Sequence, residues 1–321
     1  MAAPFHTIAA RGALPLLVLA LVAGTGCVRD SVPPDSSDAG LSPAALDPAR
    51  ALDEVRRFVA VGPRHSGTPG AARAAQYIAE RLDAIGIEPV IDTFEDPTPQ
   101  GNVVFRNVLG VLQGTQRRTI ILASHYDTKA GVSDTFIGAN DSGSSTGLLF
   151  ELARCLKAHG PLPADIMFAF FDGEECMVEY GPRDGLHGSR HLAQTLVQNQ
   201  RASLVTAVLL LDMVGDCDLT VTIPRNSDSE LVSAVFAAAR AEGVREHFGF
   251  SPGAIIDDHV PFRAMGMPAV NIIDLEFGSA PGRNDYWHTD QDTLKHVCAE
   301  SLGSVGRVTL RTLNQLLYGT L

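Results

Sequence analysis

From about residue 49 onward the apolar positions fall into two rhythms. In "ALDEVRRFVAVG" (51–62) and "GAARAAQYIAERLDAIG" (70–86) they recur every three or four residues, and each stretch ends at Gly, which predicts amphipathic helices. The same spacing recurs in "STGLLFELARCLKAHG" (145–160), "GSRHLAQTLVQNQ" (188–200), "SELVSAVFAAARAEG" (229–243) and a last segment at about 299–317. Between them lie short alternating or wholly apolar runs that read as strands: "EPVIDTF", "NVVFRNVLGVL", "TIILASHYD", "DIMFAFFDG", "SLVTAVLLLDMVG" and "PAVNIID". Strands alternating with helices predict an α/β fold, three layers (α/β/α) around a mostly parallel central sheet. No internal repeat or second break interrupts the pattern, so residues 49–321 are expected to form one catalytic domain.

In such a sheet ligands bind beyond the carboxyl ends of the strands, and charged residues collect there in this chain. His125 and Asp127 end one strand, Glu174 and Glu175 another, and Asp212 a third. Asp141 lies in the Gly/Ser-rich loop "GANDSGSSTG", and His288 follows "DYW" in a late loop. Asp, Glu and His are the oxygen and nitrogen ligands that zinc favours. The His-x-Asp spacing places Asp127 to orient the His125 ring. Glu174 and Glu175 are neighbours whose side chains diverge, so one can bind metal while the other faces substrate.

Composition narrows the function. The 321 residues are 45% hydrophobic and 19% charged, with a formal net charge of -12 and no basic stripe, which argues against nucleic-acid binding. The first 27 residues carry Arg11, an apolar run and small residues before Cys27, the pattern of an export signal resembling a lipobox. The expectation is an exported protein of a bacterial cell envelope, lipid-anchored through Cys27 or cleaved nearby and secreted. Residues 28–48, rich in Pro, Ser and Asp, read as a flexible tether. Cys155, Cys176, Cys217 and Cys298 show no CxxC spacing, and buried free thiols are their expected state.

The ordered set "SHYD", "GANDS", "FFDGEE", "LLDMVG", "DDHVPF" and "YWHTDQDT" resembles the zinc exopeptidases of peptidase family M28, whose members include di-zinc aminopeptidases and single-zinc glutaminyl cyclases. The resemblance implies that Asp141, Glu175 and His288 hold the zinc common to both branches and that Glu174 is the general acid/base. His125 and Asp212 match the ligands of a second zinc in the aminopeptidases. All six are present, so the branch must be read elsewhere. The stretch "EECMVEYGPRDGLHGSRHLA" is longer than its aminopeptidase counterpart and looks like the cyclases, where an aromatic of this insert lines the pocket; Tyr180 holds that place. Trp287, beside His288, looks like a second pocket aromatic. Asp257 stands where the cyclases carry an acid that draws Asp212 away from metal by sharing a proton, with both supporting Glu174. Ile256 and Asn271 depart from the animal cyclases, which carry a polar residue and a histidine there.

The resemblance thus implies a zinc-dependent glutaminyl-peptide cyclotransferase with one zinc, acting on peptide or protein N-termini. The alternative is an aminopeptidase with two. "GSSTG" also matches G-x-S-x-G with Ser145 as nucleophile, but that motif needs a strand leading straight into a helix. Here a long loop intervenes, and residues 142–146 are expected to cap the next helix. His187 and His191 are expected to pack or face solvent, and His259 to make a structural hydrogen bond.

Overall fold

The computed structural model describes residues 40–320. Its centre is a six-stranded sheet in the order β1-β2-β4-β3-β5-β8, formed by β1 (Pro89–Thr98), β2 (Gly101–Leu112), β3 (Thr119–His125), β4 (Asp165–Phe171), β5 (Val205–Asp212) and β8 (Ala269–Ile273). β4, β3, β5 and β8 run parallel, while the β1–β2 hairpin adds an antiparallel edge. All seven residues of β3 are buried, as expected for a strand covered on both faces.

Alternate residues of the strands feed two different cores. Ile120, Leu122, Ile166, Phe168 and Phe170 point into a large cluster with α1 (Pro48–Val59), α2 (Pro69–Ile85), α3 (Gly143–His159), α5 (Ser229–Ala241) and α7 (Ala299–Tyr318). Ile121, Ala123, Ala169 and Phe171 point the other way, onto α4 (His187–Gln198) and α6 (His259–Ala264). That period of two yields the three layers. α1 crosses α3 at backbone contact, because a Cβ on Gly147 would lie 2.6 Å from the Val55 amide nitrogen. The short strands β6 (Val221–Ile223) and β7 (Phe248–Phe250) pair beside the main sheet. Three residues are too few to show a period, which is why they and the six-residue α6 escape a reading of the sequence.

Helix ends follow local chemistry. Asp47 accepts hydrogen bonds from the amides of Ala49 and Arg50, and Pro48 opens α1; Thr68 and Pro69 do the same for α2. The Asp47 cap corrects one boundary. Residues 41–48, expected to belong to the tether, are part of the body. Asn314 on α7 grips the backbone of Leu41 at both N–H (2.6 Å) and C=O (2.7 Å), and the buried Leu46 lies against Gly306 of α7. Leu41 and Leu46 supply the apolar anchors that the surrounding Pro, Ser and Asp conceal. The export signal, Cys27 and the earlier part of the tether lie outside the described residues.

The thiol expectation is corrected for one pair as well. Cys217 and Cys298 form a disulfide across 81 residues of chain, while Cys155 and Cys176 are free and buried. Backbone pairing sets the bridge up: Cys217 N–H donates to the His296 carbonyl, and Cys298 N–H to that of Gly215. Sequence spacing carries no trace of this contact. Closing so long a loop restricts the unfolded chain, so a Cys217→Ser/Cys298→Ser variant is expected to lose about 2–4 kcal/mol in urea unfolding. An unchanged midpoint would show that the bridge adds nothing to stability.

Candidate metal and catalytic site

Every charged residue singled out at the strand ends converges on one end of the sheet. β3 delivers His125, and the chain beyond it turns Asp127 back beneath the site. Asp127 Oδ1 lies 3.3 Å from His125 Nδ1 and accepts the Glu174 amide at 3.1 Å; its Oδ2 accepts the Glu175 amide at 3.2 Å. One buried carboxylate therefore orients the imidazole and the two glutamates together.

Asp141 occupies the loop entering α3, which four side chains hold in place. Asp292 accepts hydrogen bonds from the amides of Asn140 (2.6 Å) and Asp141 (3.1 Å). Arg64, fully buried, donates to the carbonyls of Tyr126 (2.5 Å), Ile137 and Gly138 (3.0 Å), joining the end of β3 to this loop. Thr146 donates to the His125 carbonyl at 3.1 Å, and Ser144 to that of Asn140 at 2.7 Å. The hydroxyls expected to cap α3 are thus used otherwise: Ser142 makes no capping bond, and Ser145, wholly buried, bonds Ser124 and the Ser142 carbonyl. A nucleophilic role for Ser145 has no exposed hydroxyl to rest on.

Two three-residue groups share Asp141. Its Oδ1 is 3.0 Å from His125 Nε2, which also approaches Asp212 Oδ1 at 3.3 Å. Its Oδ2 is 3.3 Å from His288 Nε2, which approaches Glu175 Oε1 at 2.9 Å. Within each group, His125–Asp141–Asp212 and Asp141–Glu175–His288, the donor atoms lie inside 4.8 Å of one another. Glu175 Oε2 and Asp212 Oδ1 are buried without hydrogen-bond partners. Buried carboxylate oxygens facing imidazole nitrogens in each group fit a divalent metal ion, and the donor set suits zinc.

Charge in the site is strongly coupled. Burial alone would raise Asp141, but the hydrogen bonds from His125 and His288 outweigh it and hold the carboxyl well below its usual range. Burial pushes Glu175 up to about 7, aided by Asp141 and opposed by His288. Glu174 is raised well above the usual carboxylate range by burial, partly offset by His125 and reinforced by Glu175, Asp257 and Asp258. Such displaced acids are what a proton-transferring site requires.

The remaining sequence candidates divide. Glu174 and Glu175 do face apart: Glu175 meets His288, while Glu174 receives the Tyr180 hydroxyl at 3.0 and 3.1 Å on its two oxygens. Trp287 is partly exposed and stacks on the His288 ring at 3.9 Å between centroids. Asp257 Oδ2 accepts Asn271 Nδ2 at 2.5 Å and its Oδ1 the Asp258 amide; burial, with the charges of Asp212 and Asp258, raises its carboxyl well above the usual range. Asn271, the residue that departs from the animal cyclases, is thus the hydrogen-bond partner of Asp257, while Asp212 faces His125. His259 is buried with neither ring nitrogen bonded, and burial lowers it to about 4, so it stays neutral and the expected hydrogen bond is absent. His187 and His191 pack: they stack on Phe105 and Phe94 and meet Asp96 (2.7 Å) and Asp92 (3.2 Å).

Sequence reasoning missed Arg64, Asp292 and Lys129. Lys129 Nζ donates to the Cys176 carbonyl at 2.5 Å and lies 3.6 Å from Glu175 Oε2. Asp292 sits inside the quoted "YWHTDQDT", so its motif was visible although its task was not. Replacing Asp292 by Asn substitutes an N–H for one acceptor of the Asn140–Asp141 clamp. Metal affinity, measured by chelator competition with zinc as the probe, is expected to fall about 10–100-fold. Unchanged affinity would mean that the clamp does not set Asp141.

Comparison with known proteins agrees with this geometry. Residues 107–313 match the model of peptidase family M28. A glutaminyl-peptide cyclotransferase-like protein of Bos taurus is 30% identical over 291 residues, covering 82% of this chain and 74% of its own. Among solved structures, the glutaminyl cyclase of an Acidobacteriales bacterium superimposes with a TM-score of 0.81 and 34% identity, covering 90% of this chain and 100% of that one. The Porphyromonas gingivalis glutaminyl cyclase follows at 0.76 and 30%, covering 85% and 99%. With the ligand groups, the strand-end placement and these matches together, the chain belongs to peptidase family M28.

Proposed function

We infer that this chain is a zinc-dependent glutaminyl-peptide cyclotransferase, converting an N-terminal glutamine of a peptide or protein to pyroglutamate with release of ammonia. The observation that carries the reading is likeness over 82–90% of the chain to proteins named glutaminyl cyclase or glutaminyl-peptide cyclotransferase-like. The aminopeptidase alternative shares the ligand residues but is not favoured by these relatives.

Asp141, Glu175 and His288 would hold one zinc ion. When bound, the ion supplies Lewis-acid polarisation of the glutamine side-chain carbonyl. Glu174 then takes a proton from the substrate's α-amine as that nitrogen bonds to the side-chain carbonyl carbon. It returns the proton to the departing amide nitrogen, which leaves as ammonia, so one C–N bond forms and one breaks. The substrate's own chain closes the five-membered ring, and water is not a reactant. Tyr180 and Trp287 supply the pocket walls, Asp257 adds its charge to the field at Glu174, and Asp212 supports the same proton path through Asp257.

The same reading includes export and attachment through Cys27, followed by a tether. Among the described residues no helix is long and apolar enough to cross a membrane. Fatty-acid labelling of the producing cells is expected to mark the wild type and not Cys27→Ser; an unlabelled wild type would refute the anchor.

The activity is tested by following the mass of Gln-Phe-type and Leu-type peptides. The expected outcome is loss of one ammonia from the first and no change in the second; removal of a whole residue from either points to the aminopeptidase. In the same assay Glu174→Gln should lose about 100-fold or more in turnover while keeping one zinc per chain. Two tightly held ions, or retained turnover, would contradict the assignment.

A further inference from the structure

Beyond the two glutamates the chain forms a small closed insert, residues 176–186, whose construction is more elaborate than a pocket wall needs. Asp184 anchors it. Its Oδ1 accepts the Met177 amide at 2.5 Å, and its Oδ2 accepts those of Val178 (2.8 Å) and Glu179 (2.9 Å). Gly181 and Asp184 exchange backbone hydrogen bonds in both directions, at 2.9 and 3.3 Å. Arg190, on α4, donates to the carbonyls of Gly181, Pro182 and Gly185. The insert closes where it began: Leu186 N–H donates to the Glu174 carbonyl at 3.0 Å, and His187 N–H to that of Gly173 at 2.8 Å.

Tyr180 sits at the centre of this ring of bonds, and its hydroxyl reaches Glu174 Oε1 at 3.0 Å and Oε2 at 3.1 Å. Among the described residues no other side chain hydrogen-bonds Glu174. The phenolic hydroxyl is the donor and the Glu174 oxygens the acceptors. Gly185 makes room for the ring: its φ is +77°, and a Cβ there would lie 2.5 Å from Tyr180 Cδ1 and 2.8 Å from Cε1.

We propose that Tyr180 is a positioning residue for Glu174, its hydroxyl fixing the plane of the proton-carrying carboxylate, and that Asp184 and Gly185 hold it there. The proposal rests on Glu174 carrying the proton, as above, and goes beyond the aromatic wall that the family resemblance implies. A wall needs only the ring; positioning needs the hydroxyl. A buried carboxylate held through both oxygens loses its freedom to rotate away from the attacking amine, so the benefit falls on the chemical step.

Tyr180→Phe separates the two roles because it keeps the ring. Steady-state kinetics are expected to show kcat lowered about tenfold, with KM within about twofold of wild type and bound zinc unchanged. Asp184→Asn, which loosens the anchor without removing the hydroxyl, should lower kcat in the same direction. The Tyr180→Phe/Asp184→Asn double variant should be no slower than Tyr180→Phe alone, because both act through one bond. Wild-type kcat in Tyr180→Phe, a loss lying wholly in KM, or additive losses in the double variant would each overturn the proposal. The assay reads both ammonia and freed N-terminal amino acid. The product of the wild type judges the cyclisation reading, whereas the variant-to-wild-type ratio, on whichever product forms, judges Tyr180.

Discussion

The Asp127 carboxylate is the constraint on which the site depends. It is 1% exposed, and its two oxygens are taken up by the His125 ring and by the amides of Glu174 and Glu175. β3 and β4 are parallel neighbours with His125 opposite Phe171, so both bring their chains to the same rim. Asp127 converts that adjacency into a fixed relation between an imidazole and two acids. Remove it, and the glutamates hang on a loop whose amides have lost their acceptor, a cost that a buried backbone cannot avoid.

Around that centre the protein concentrates negative charge and then restrains it. Asp141, Asp212, Glu174, Glu175, Asp257 and Asp258 are all buried at one end of the sheet. Two imidazoles and the adjacent Lys129 offset part of this charge, three cationic groups against six acids, and Glu175 Oε2 and Asp212 Oδ1 remain without hydrogen bonds. Such an arrangement is a poor way to stabilise a fold and a good way to hold a cation beside an acid of raised pKa.

How much of this was legible follows from the range of the signals. The layers, the parallel strands and the rim residues could be read because burial imposes periods of two and 3.6 on the sequence, and because strand ends locate ligands. Glu174 and Glu175 were separable because adjacent side chains must diverge. Contacts between distant segments left no such trace. Arg64 is an ordinary arginine in a Gly/Pro loop until it is seen buried under three carbonyls. Asn271 donates to Asp257 from fourteen residues on, a contact that its place in the sequence does not announce. The Cys217–Cys298 bridge and the clasp of Leu41 by Asn314 are likewise facts of three-dimensional proximity, invisible to spacing or composition.

That clasp also fixes the polarity of the body. α7 begins at Cys298, whose amide bonds Gly215 just beyond Asp212 at the ligand-bearing rim. Its last turn accepts Arg118, which precedes β3, at the carbonyls of Leu316 and Leu317. Twenty residues of helix span about 30 Å, so Asn314 and the Leu41 it holds lie toward the floor of the sheet, opposite the rim. The first described residues are therefore fastened at the floor of the sheet, at the end of the body away from the ligand-bearing rim.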